Sequence, residues 1–502
     1  MTGGAVNRVS RLWAIARQPV PAETRGQLRE TWSGLPEALR TPRQMYGRTS
    51  NGCGATIGVM PRCDFACTGC YLGREANDVP ALSLDRVKAQ LDAMRGHLGY
   101  HGNLQLTDGE VLLRPEAELI EIIRHACAIG LVPMLMTHGD HFRTRPRLLE
   151  RLMTEAGLEE AGIHIDTTQR GRAGERFRRA RSEFELDRLR NELAGVLRAA
   201  KRNTGRPLRA ALLMTVTRDN LSGVAGTVRW ARANTDIFRM LSFQPLARVG
   251  RTLAKLGGVT REDVWKEIAT GLDVPNIERG QMWMGHPDCT RHVVGFVASY
   301  AGATRYLPAR NNDDPLDRAI LDELLTRFGR VTFRGDRIPE RLARILGLLL
   351  EQPWLVLRHA VPFVLHWLCR LDPTSRARAA FRLMTGRLRL RQLTILSHHF
   401  MNADEVRSTR GRERIASCVF RVPIDGQFVS MCEANALGKR EEFYATLSES
   451  TQPNPAYTVP HIPERPPHAQ APKTRPVREL NNPVANSQPG IHREKCIDDF
   501  FC

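Results

Sequence analysis

The chain has 502 residues, 42% of them hydrophobic, and 73 Lys plus Arg against 54 Asp plus Glu give it a formal net charge of +19. The length allows two or more domains with a substantial core, and no apolar run approaches the ~20 residues that a membrane-spanning helix needs. The charge favours anionic partners such as phospholipid headgroups, nucleic acid or a phosphorylated substrate, with a solvated basic surface as the alternative.

The cysteines indicate a reducing environment. Eleven are present, an ordinary number for this length, and their spacing does not resemble a disulfide framework. The first twenty residues lack the apolar core of a signal peptide. We therefore expect a cytoplasmic location, where clustered cysteines bind metal more often than they form disulfides. A peripheral position at the inner face of the membrane is a second expectation.

Strand-like and helix-like segments alternate after a basic N-terminal extension, 1–50. Helix-like segments show apolar residues on one face, as Val87, Leu91, Met94 and Leu98 do. Six segments read as strands: 55–60, 104–106, 131–137, 161–166, 208–217 and 238–246. This alternation predicts an α/β domain over 51–250 with a parallel sheet and right-handed crossovers. Ligands of such sheets bind at the carboxyl ends of the strands.

The pattern changes beyond residue 250, where we expect a C-terminal domain of mixed α+β structure over 251–450. Residues 340–370 are strongly apolar but interrupted by prolines and charges, which predicts either an apolar helical hairpin at a surface or a buried core hairpin. The last segment, 451–502, is rich in Pro, Asn and His and is predicted to be a disordered tail. Upstream, 170–209 carries thirteen Lys or Arg against five Asp or Glu, suited to anionic headgroups or to a solvated helix face.

Three cysteines, Cys63, Cys67 and Cys70, follow the first predicted strand in the sequence CDFACTGCY (63–71). Thiolates bind zinc or iron–sulfur clusters. A structural zinc site usually has four ligands, and no fourth is evident here. A cluster with four irons held by three cysteines leaves one iron free for another ligand.

The C-x3-C-x2-C spacing after a first strand resembles the radical S-adenosylmethionine (radical SAM) enzymes over about residues 50–250. The resemblance implies a partial (β/α)6 TIM-type barrel with a [4Fe–4S] cluster on the three cysteines. In that family S-adenosylmethionine chelates the unique iron and is reductively cleaved to a 5′-deoxyadenosyl radical, which abstracts hydrogen from an unactivated C–H bond. It also implies an electron donor such as flavodoxin or ferredoxin.

Further cofactor-binding residues follow from the same resemblance. LTDGEVLLRP (106–115) is similar to the family's Gly-Gly-Glu-Pro motif, which receives the methionine amino group, although Asp108 and Val111 replace its first Gly and its Pro. A plain turn is the alternative for this segment. The candidates for contact with S-adenosylmethionine are Tyr71, Asp108, Gly109, Glu110, His138, Asp166, Thr167 and Gln169.

A narrower resemblance, to the subfamily of the archaeal tetraether lipid synthase, rests on SFQPLARVGR (242–251), HPDCT (286–290) and the segment 398–435. It implies an auxiliary iron–sulfur cluster at Cys289, Cys418 and Cys432. A fourth ligand could be Cys369, Cys53 or His286. Alternatively these cysteines are small buried hydrophobic residues, as we expect for Cys127.

Three functions remain open from the sequence. The first is a radical SAM enzyme acting on a lipid, and the second is one acting on a peptide or nucleotide-like precursor. The third is a non-catalytic zinc or iron–sulfur protein that binds nucleic acid. Base stacking would require aromatic residues among the basic ones, and 170–209 contains only Phe177 and Phe184, so nucleic acid is not expected as a partner.

Overall fold

The computed structural model describes residues 3–253, 256–329, 331 and 338–449, and the predicted tail over 451–502 lies outside them. The strands are β1 (Cys53–Thr56), β2 (Asn103–Leu106), β3 (Val132–Thr137), β4 (Glu160–His164), β5 (Arg209–Val216), β6 (Phe238–Pro245), β7 (Met282–Trp283), β8 (Thr290–Tyr300), β9 (Ala303–Pro308), β10 (Arg389–His398), β11 (Phe420–Ile424) and β12 (Gln427–Ser430).

The helices alternate with the first six strands and then cluster in the C-terminal half. They are α1 (Gly3–Arg17), α2 (Ala22–Gly34), α3 (Leu84–Leu98), α4 (Glu116–Ala128), α5 (Asp140–Thr144), α6 (Pro146–Glu155), α7 (Glu175–Arg178), α8 (Asp187–Thr204), α9 (Val224–Ala233), α10 (Arg261–Leu272), α11 (Pro315–Phe328), α12 (Ile338–Glu351), α13 (Pro353–Leu371), α14 (Arg376–Met384), α15 (Ala403–Arg407), α16 (Thr409–Ala416), α17 (Met431–Ala436) and α18 (Lys439–Glu449).

One curled sheet organises the fold. Its strand order is β12-β11-β1-β2-β3-β4-β5-β6-β10-β8-β7, with β9 paired to β8. The strands from β1 to β6 are parallel, and each lies beside its predecessor in sequence. This half-barrel confirms the predicted α/β class and partial TIM-type core. All six predicted strands are present, because buried parallel strands read as short apolar runs between turn residues.

Local sequence explains how the outer helices form and pack. Helix α3 begins where the Ser83 side chain accepts a hydrogen bond from the Arg86 amide, a standard N-cap. Its residues Val87, Leu91, Met94 and Leu98 are fully buried, as their spacing predicts. Cys127, on α4, is half-buried and packs against the same core.

Two strands from the C-terminal half extend the parallel sheet on both sides. Strand β10 pairs in parallel with β6, and β11 pairs in parallel with β1. The sheet therefore continues beyond residue 250, and the domain boundary placed there stays a prediction. This pairing could not be predicted from the sequence, since β10 and β11 lie far from their partners along the chain.

The two charged or apolar segments singled out in the sequence are resolved into distinct elements. Within 170–209, the long helix is confined to α8, and Arg172 and Arg190 are fully buried rather than facing solvent. Residues 340–370 form α12 and α13, separated at Gln352 because Pro353 occupies the first turn of α13. Among the described residues, no helix is long and apolar enough to cross a membrane.

Candidate active site

The cysteine loop lies over the inner face of the half-barrel. It follows β1, and Cys63, Cys67 and Cys70 all line one cavity of about 220 Å³. The other walls of the cavity come from the ends and inner faces of β2 to β6 and from the C-terminal segments around β10, β11 and α17. The cavity thus has the position that parallel α/β sheets give to their ligands.

Main-chain hydrogen bonds hold the loop on both sides. The Ala66 amide donates to the Arg170 carbonyl at 2.9 Å. Arg251 donates its amide to the Cys70 carbonyl at 3.0 Å and its Nη1 to the Phe65 carbonyl at 3.2 Å. A Cβ on Gly250 would overlap the main chain of Tyr71, so the Gly-Arg pair after β6 serves to bring the chain against the cysteine loop.

The chemistry of the thiols fits a cationic metal group. Burial raises the pKa of Cys67 to about 12 and also raises those of Cys63 and Cys70, so the thiols stay protonated until a metal binds and releases the protons. The Arg251 guanidinium partly offsets the effect of burial on Cys70. Nη2 of Arg251 is buried without a hydrogen-bond partner in the part of the chain that the structure describes. It could donate to the thiolates or sulfides of a bound cluster. Three thiols around one cavity therefore suit a [4Fe–4S] cluster.

The segment that follows β2, residues 107–110, packs directly against the start of the cysteine loop; we call it the main-chain edge. The Gly109 amide donates to the Met60 carbonyl at 2.9 Å, and the Glu110 amide donates to the Arg62 carbonyl at 2.8 Å. A Cβ on Gly109 would overlap the carbonyl oxygens of Pro61 and Arg62. Glycine is required here because two backbones touch.

The Glu110 carboxylate lines the cavity but is only 1% exposed. It accepts hydrogen bonds from the Thr137 hydroxyl at 2.7 Å, the His138 amide at 3.0 Å and the Leu112 amide at 3.1 Å. These bonds fix the carboxylate between the ends of β2 and β3. Because the Glu110 carboxylate is already occupied by these hydrogen bonds, the neighbouring main-chain carbonyls are better placed than this carboxylate to receive an ammonium group.

Asp108, at the motif's first glycine position, has φ of 128°, a region that favours glycine. Its carboxylate accepts a hydrogen bond from the Gly58 amide and pairs with Arg440 of α18, and both side chains are fully buried. Tyr71 completes the group, since its hydroxyl donates to the Asp108 carbonyl at 3.0 Å and its ring lies 5.1 Å from the Arg440 guanidinium. Asp108, which replaces the first glycine of the motif, thus links α18 to the site.

His138 is positioned by aromatic stacking and by carboxylates. Its ring stacks on Phe65 with centroids 3.8 Å apart, and its Nε2 lies 2.9 Å from the Asp64 carboxylate. Burial opposes ionisation of Asp64, but hydrogen bonds from His138 and His141 outweigh it and hold the pKa of Asp64 well below its ordinary value. This network fixes the residues that flank Cys63.

The residues after β4 divide into a buried support and a cavity wall. Asp166 is buried and accepts hydrogen bonds from the Thr168 amide at 2.7 Å and the Thr215 amide at 2.8 Å. Asp166 and Thr167 do not line the cavity, whereas Gln169 does. Polar cavity residues that the sequence did not identify are Gln105, Thr107, Thr137, His164, Thr168, Thr215, Ser242, Gln244, His398 and Asn435. All except Asn435 lie on strands of the sheet or in the loops that follow them, which was the available signal.

The remaining three predicted metal ligands also converge. The loop of Cys289 lies against the residues that precede β11. The contact is so close that a Cβ on Gly285 would overlap the Ser417 carbonyl. Burial raises the pKa of Cys418 to about 11 and of Cys432 to about 12, and the neighbouring cysteines of this group raise both further. Cys432 also lines the cavity. This cysteine trio therefore borders the site that holds Cys63, Cys67 and Cys70.

The proposed fourth ligands have different positions. His286 lies on the Cys289 loop, and its carbonyl accepts a hydrogen bond from the Cys289 amide at 2.9 Å. The thiol of Cys369, on α13, instead accepts a hydrogen bond from Arg376 Nε at 2.7 Å. The Cys53 thiol is directed to the Gly54 carbonyl.

Comparison with known proteins identifies the domain. Residues 57–204 match the model of the Radical SAM superfamily, within the range of the sequence resemblance. No curated protein matches the chain. Residues 57–204 thus match a Radical SAM superfamily domain, as the sequence predicted.

Solved structures share only a distant likeness. Streptococcus suis SuiB bound to S-adenosylmethionine is 13% identical, with a TM-score of 0.33 over 47% of this chain and 50% of that one. The protein anSMEcpe with bound AdoMet and Cp18Cys peptide is 13% identical, with a TM-score of 0.30 over 46% and 62%. TYW1 with a lysine-pyruvate adduct is 11% identical, with a TM-score of 0.26 over 61% and 90%. The chain spans about half the length of the first of these, and likenesses this weak support no inference about substrate.

Proposed function

We propose that the protein uses a [4Fe–4S] cluster on Cys63, Cys67 and Cys70 to abstract hydrogen from an unactivated C–H bond of a lipid. The convergence of the three thiols with the Gly109–Glu110 edge in one cavity carries the proposal. When bound, the cluster supplies the electron that cleaves S-adenosylmethionine to a 5′-deoxyadenosyl radical. We propose flavodoxin or ferredoxin as the source of that electron.

The protein's own residues would position the reactants and exclude water. The edge at 107–110 offers main-chain carbonyls for the methionine ammonium, and the Glu110 carboxylate holds that edge against β3. Gln169 and Thr168 are cavity residues within reach of a nucleoside. No acid–base pair is needed for hydrogen-atom abstraction, so the contribution of the site is orientation and a dry surrounding.

The apolar part of the cavity supports a hydrocarbon substrate. Methionine and leucine side chains from the inner strand faces form its floor, and Phe400, Met401, Phe420 and Met431 form the wall toward the cysteine trio. An acyl chain would meet mainly apolar contacts there. The resemblance of the motif order to that of the tetraether lipid synthase subfamily is a second reason to propose a lipid rather than a peptide or a nucleotide-like precursor.

A second cluster on Cys289, Cys418 and Cys432 is part of the proposal. Arg414 donates from Nε to the Cys289 thiol at 3.3 Å, and Arg421 lowers the pKa of Cys418 against the effect of burial. Two guanidinium groups thus favour thiolates at this position. His286 is the fourth ligand that the geometry favours among the three considered.

The test of the radical mechanism is 5′-deoxyadenosine formation. The full-length protein is reconstituted anaerobically with iron and sulfide, reduced with dithionite and given S-adenosylmethionine. We expect 5′-deoxyadenosine from the wild type and from Cys127→Ala, whose thiol packs outside the site, and none from Cys67→Ala. Equal formation by Cys67→Ala would exclude this loop as the site of cleavage.

Two further measurements test the second cluster and the lipid substrate separately. Iron content should fall by about four atoms per chain in Cys67→Ala and, separately, in Cys418→Ala. An unchanged iron content in Cys418→Ala would remove the second cluster. Deuterium transfer from perdeuterated phospholipid acyl chains into 5′-deoxyadenosine would support the lipid substrate, whereas transfer only from labelled peptides would replace it.

A further inference from the structure

Helices α1, α12, α13 and α14 carry an unusual concentration of exposed apolar side chains. Of the sixteen large apolar side chains that are exposed in the described part of the chain, thirteen lie on these four helices. They are Val9, Trp13, Leu342, Ile345, Leu346, Leu349, Leu350, Trp354, Val361, Val364, Leu365, Phe381 and Met384. We refer to these residues as the apolar helical surface. An exposed apolar patch of this extent marks an interaction site.

The surface is built from ordered stripes. On α12 the exposed residues recur at spacings of three and four from Leu342 to Leu350, the pattern by which a helix normally faces a core. Trp354, Val361 and Leu365 form a similar stripe on α13. Helix α1 packs closely against α12, since a Cβ on Gly347 would overlap the Ala16 carbonyl and Arg11 pairs with Glu340 at 3.1 Å.

The helices that carry the apolar helical surface have an excess of positive charge. Residues 338–390 contain nine arginines and three acidic residues. All three carboxylates are already paired with arginine: Glu340 with Arg11, Glu351 with Arg25, and Asp372 with Arg378. The exposed arginines Arg17, Arg358, Arg387 and Arg389 accompany the apolar side chains. This combination is complementary to an anionic, apolar partner.

Two exposed tryptophans on the apolar helical surface indicate what kind of anionic, apolar partner binds there. Trp13 is 57% exposed and Trp354 is 81% exposed, and the Arg17 guanidinium lies 5.2 Å from the Trp13 ring. Leu-rich helices flanked by Trp and Arg are typical of helices that lie in the interface of an anionic bilayer. We propose that the apolar helical surface docks the enzyme on an anionic phospholipid membrane, with α12 and α13 in the plane of the interface. This proposal deepens the lipid part of the proposed function.

The test is sedimentation of the reconstituted full-length protein with phosphatidylcholine vesicles, prepared with and without phosphatidylglycerol. We expect binding that requires phosphatidylglycerol and weakens with added salt. Leu342→Gln combined with Leu350→Gln should weaken binding about tenfold or more, and Arg358→Gln about fivefold. Phe184→Ser is the matched control, because Phe184 is 82% exposed on the separate basic stretch 170–209. It should bind as the wild type does.

Two outcomes would overturn the proposal. One is vesicle binding lost in Phe184→Ser but kept in the double leucine variant, which would assign the membrane contact to 170–209. The other is no vesicle binding by a wild type that sediments as a dimer while the double leucine variant is monomeric, which would make a second copy the occupant. Measuring 5′-deoxyadenosine in the same samples keeps failure of docking separate from failure of the proposed function.

Discussion

Gly109 shows how a single missing side chain couples two motifs. Its backbone touches the carbonyls of Pro61 and Arg62, which lead into the cysteine loop. We predict that Gly109→Ala lowers the rate of 5′-deoxyadenosine formation about a hundredfold, because the two backbones must separate and misplace the ligand. Gly96→Ala on the exposed part of α3, where a Cβ meets no neighbouring atom, is the control and should keep full activity. Equal rates for both variants would contradict this account.

The Asp108–Arg440 pair is a second residue-scale feature, in which both side chains are fully buried. Burial alone would lower the pKa of Arg440, but the Asp108 carboxylate raises it. Burial raises the pKa of Asp108, and Arg440 opposes that shift, so each group stabilises the charged form of the other. We predict that Arg440→Met lowers the free energy of unfolding by about 3–5 kcal/mol, because Asp108 is left as an uncompensated buried charge. Urea unfolding measures the change.

The control for this prediction is an exposed pair. Arg179→Met removes the partner of Glu175, and both side chains are largely exposed, so its effect should stay below about 1 kcal/mol. The double variant Asp108→Gly with Arg440→Met should be more stable than Arg440→Met alone, since it removes the stranded charge and the unfavourable φ at residue 108. No recovery in the double variant would argue against the pair as the source of the loss.

At the scale of elements, the pairing of β8 with β10 buries His292 and half-buries His398, which also lines the cavity. Burial lowers the pKa of His292 and of His398 to about 4, and His398 contributes further to the shift of His292. Below the ordinary value of 6.5 the unfolded chain binds protons that the folded chain does not. The free energy of unfolding should therefore fall as the pH drops from about 6.5 to about 4, by about 3 kcal/mol for each histidine.

Urea unfolding at several pH values checks this second stability prediction. His292→Gln should remove about half of the pH dependence attributed to the two strands. His125→Gln on α4, whose ring pairs with Asp92 at the surface, should leave that part unchanged. An identical slope in the wild type and in His292→Gln would contradict the assignment.

Helices and strands could be predicted from the sequence where a few consecutive residues carry the apolar run or the periodicity. The strands β1 to β6 and the buried face of α3 follow from segments of a few residues. The stretch 170–209 was less informative, because charge alone does not distinguish Arg188 at the surface from Arg190 inside an ion pair with Glu183. Part of its excess of arginine serves internal ion pairs, such as that of Arg190 with Glu183.

At the scale of the whole molecule, metal binding and folding should be linked. Six cysteines from separate segments lie in or beside one cavity, and all six are half-buried or buried. Because metal binds the folded state, we predict that chelating the iron lowers the thermal midpoint of the reconstituted protein by about 5 °C or more. Calorimetry under anaerobic conditions measures the shift. The chelator should not change the midpoint of protein that was never reconstituted, and a shift there would assign the effect to the chelator itself.

The six-strand core, the three-cysteine loop and the superfamily could be predicted from the sequence, because each depends on short segments whose spacing is visible along the chain. Three other features emerged only from the folded structure. It brought Cys289, Cys418 and Cys432 together, paired Asp108 with a helix more than 300 residues away, and left the stripes of α12 and α13 outside the core. These features depend on contacts between distant segments, and residue spacing along a chain does not specify which segments meet.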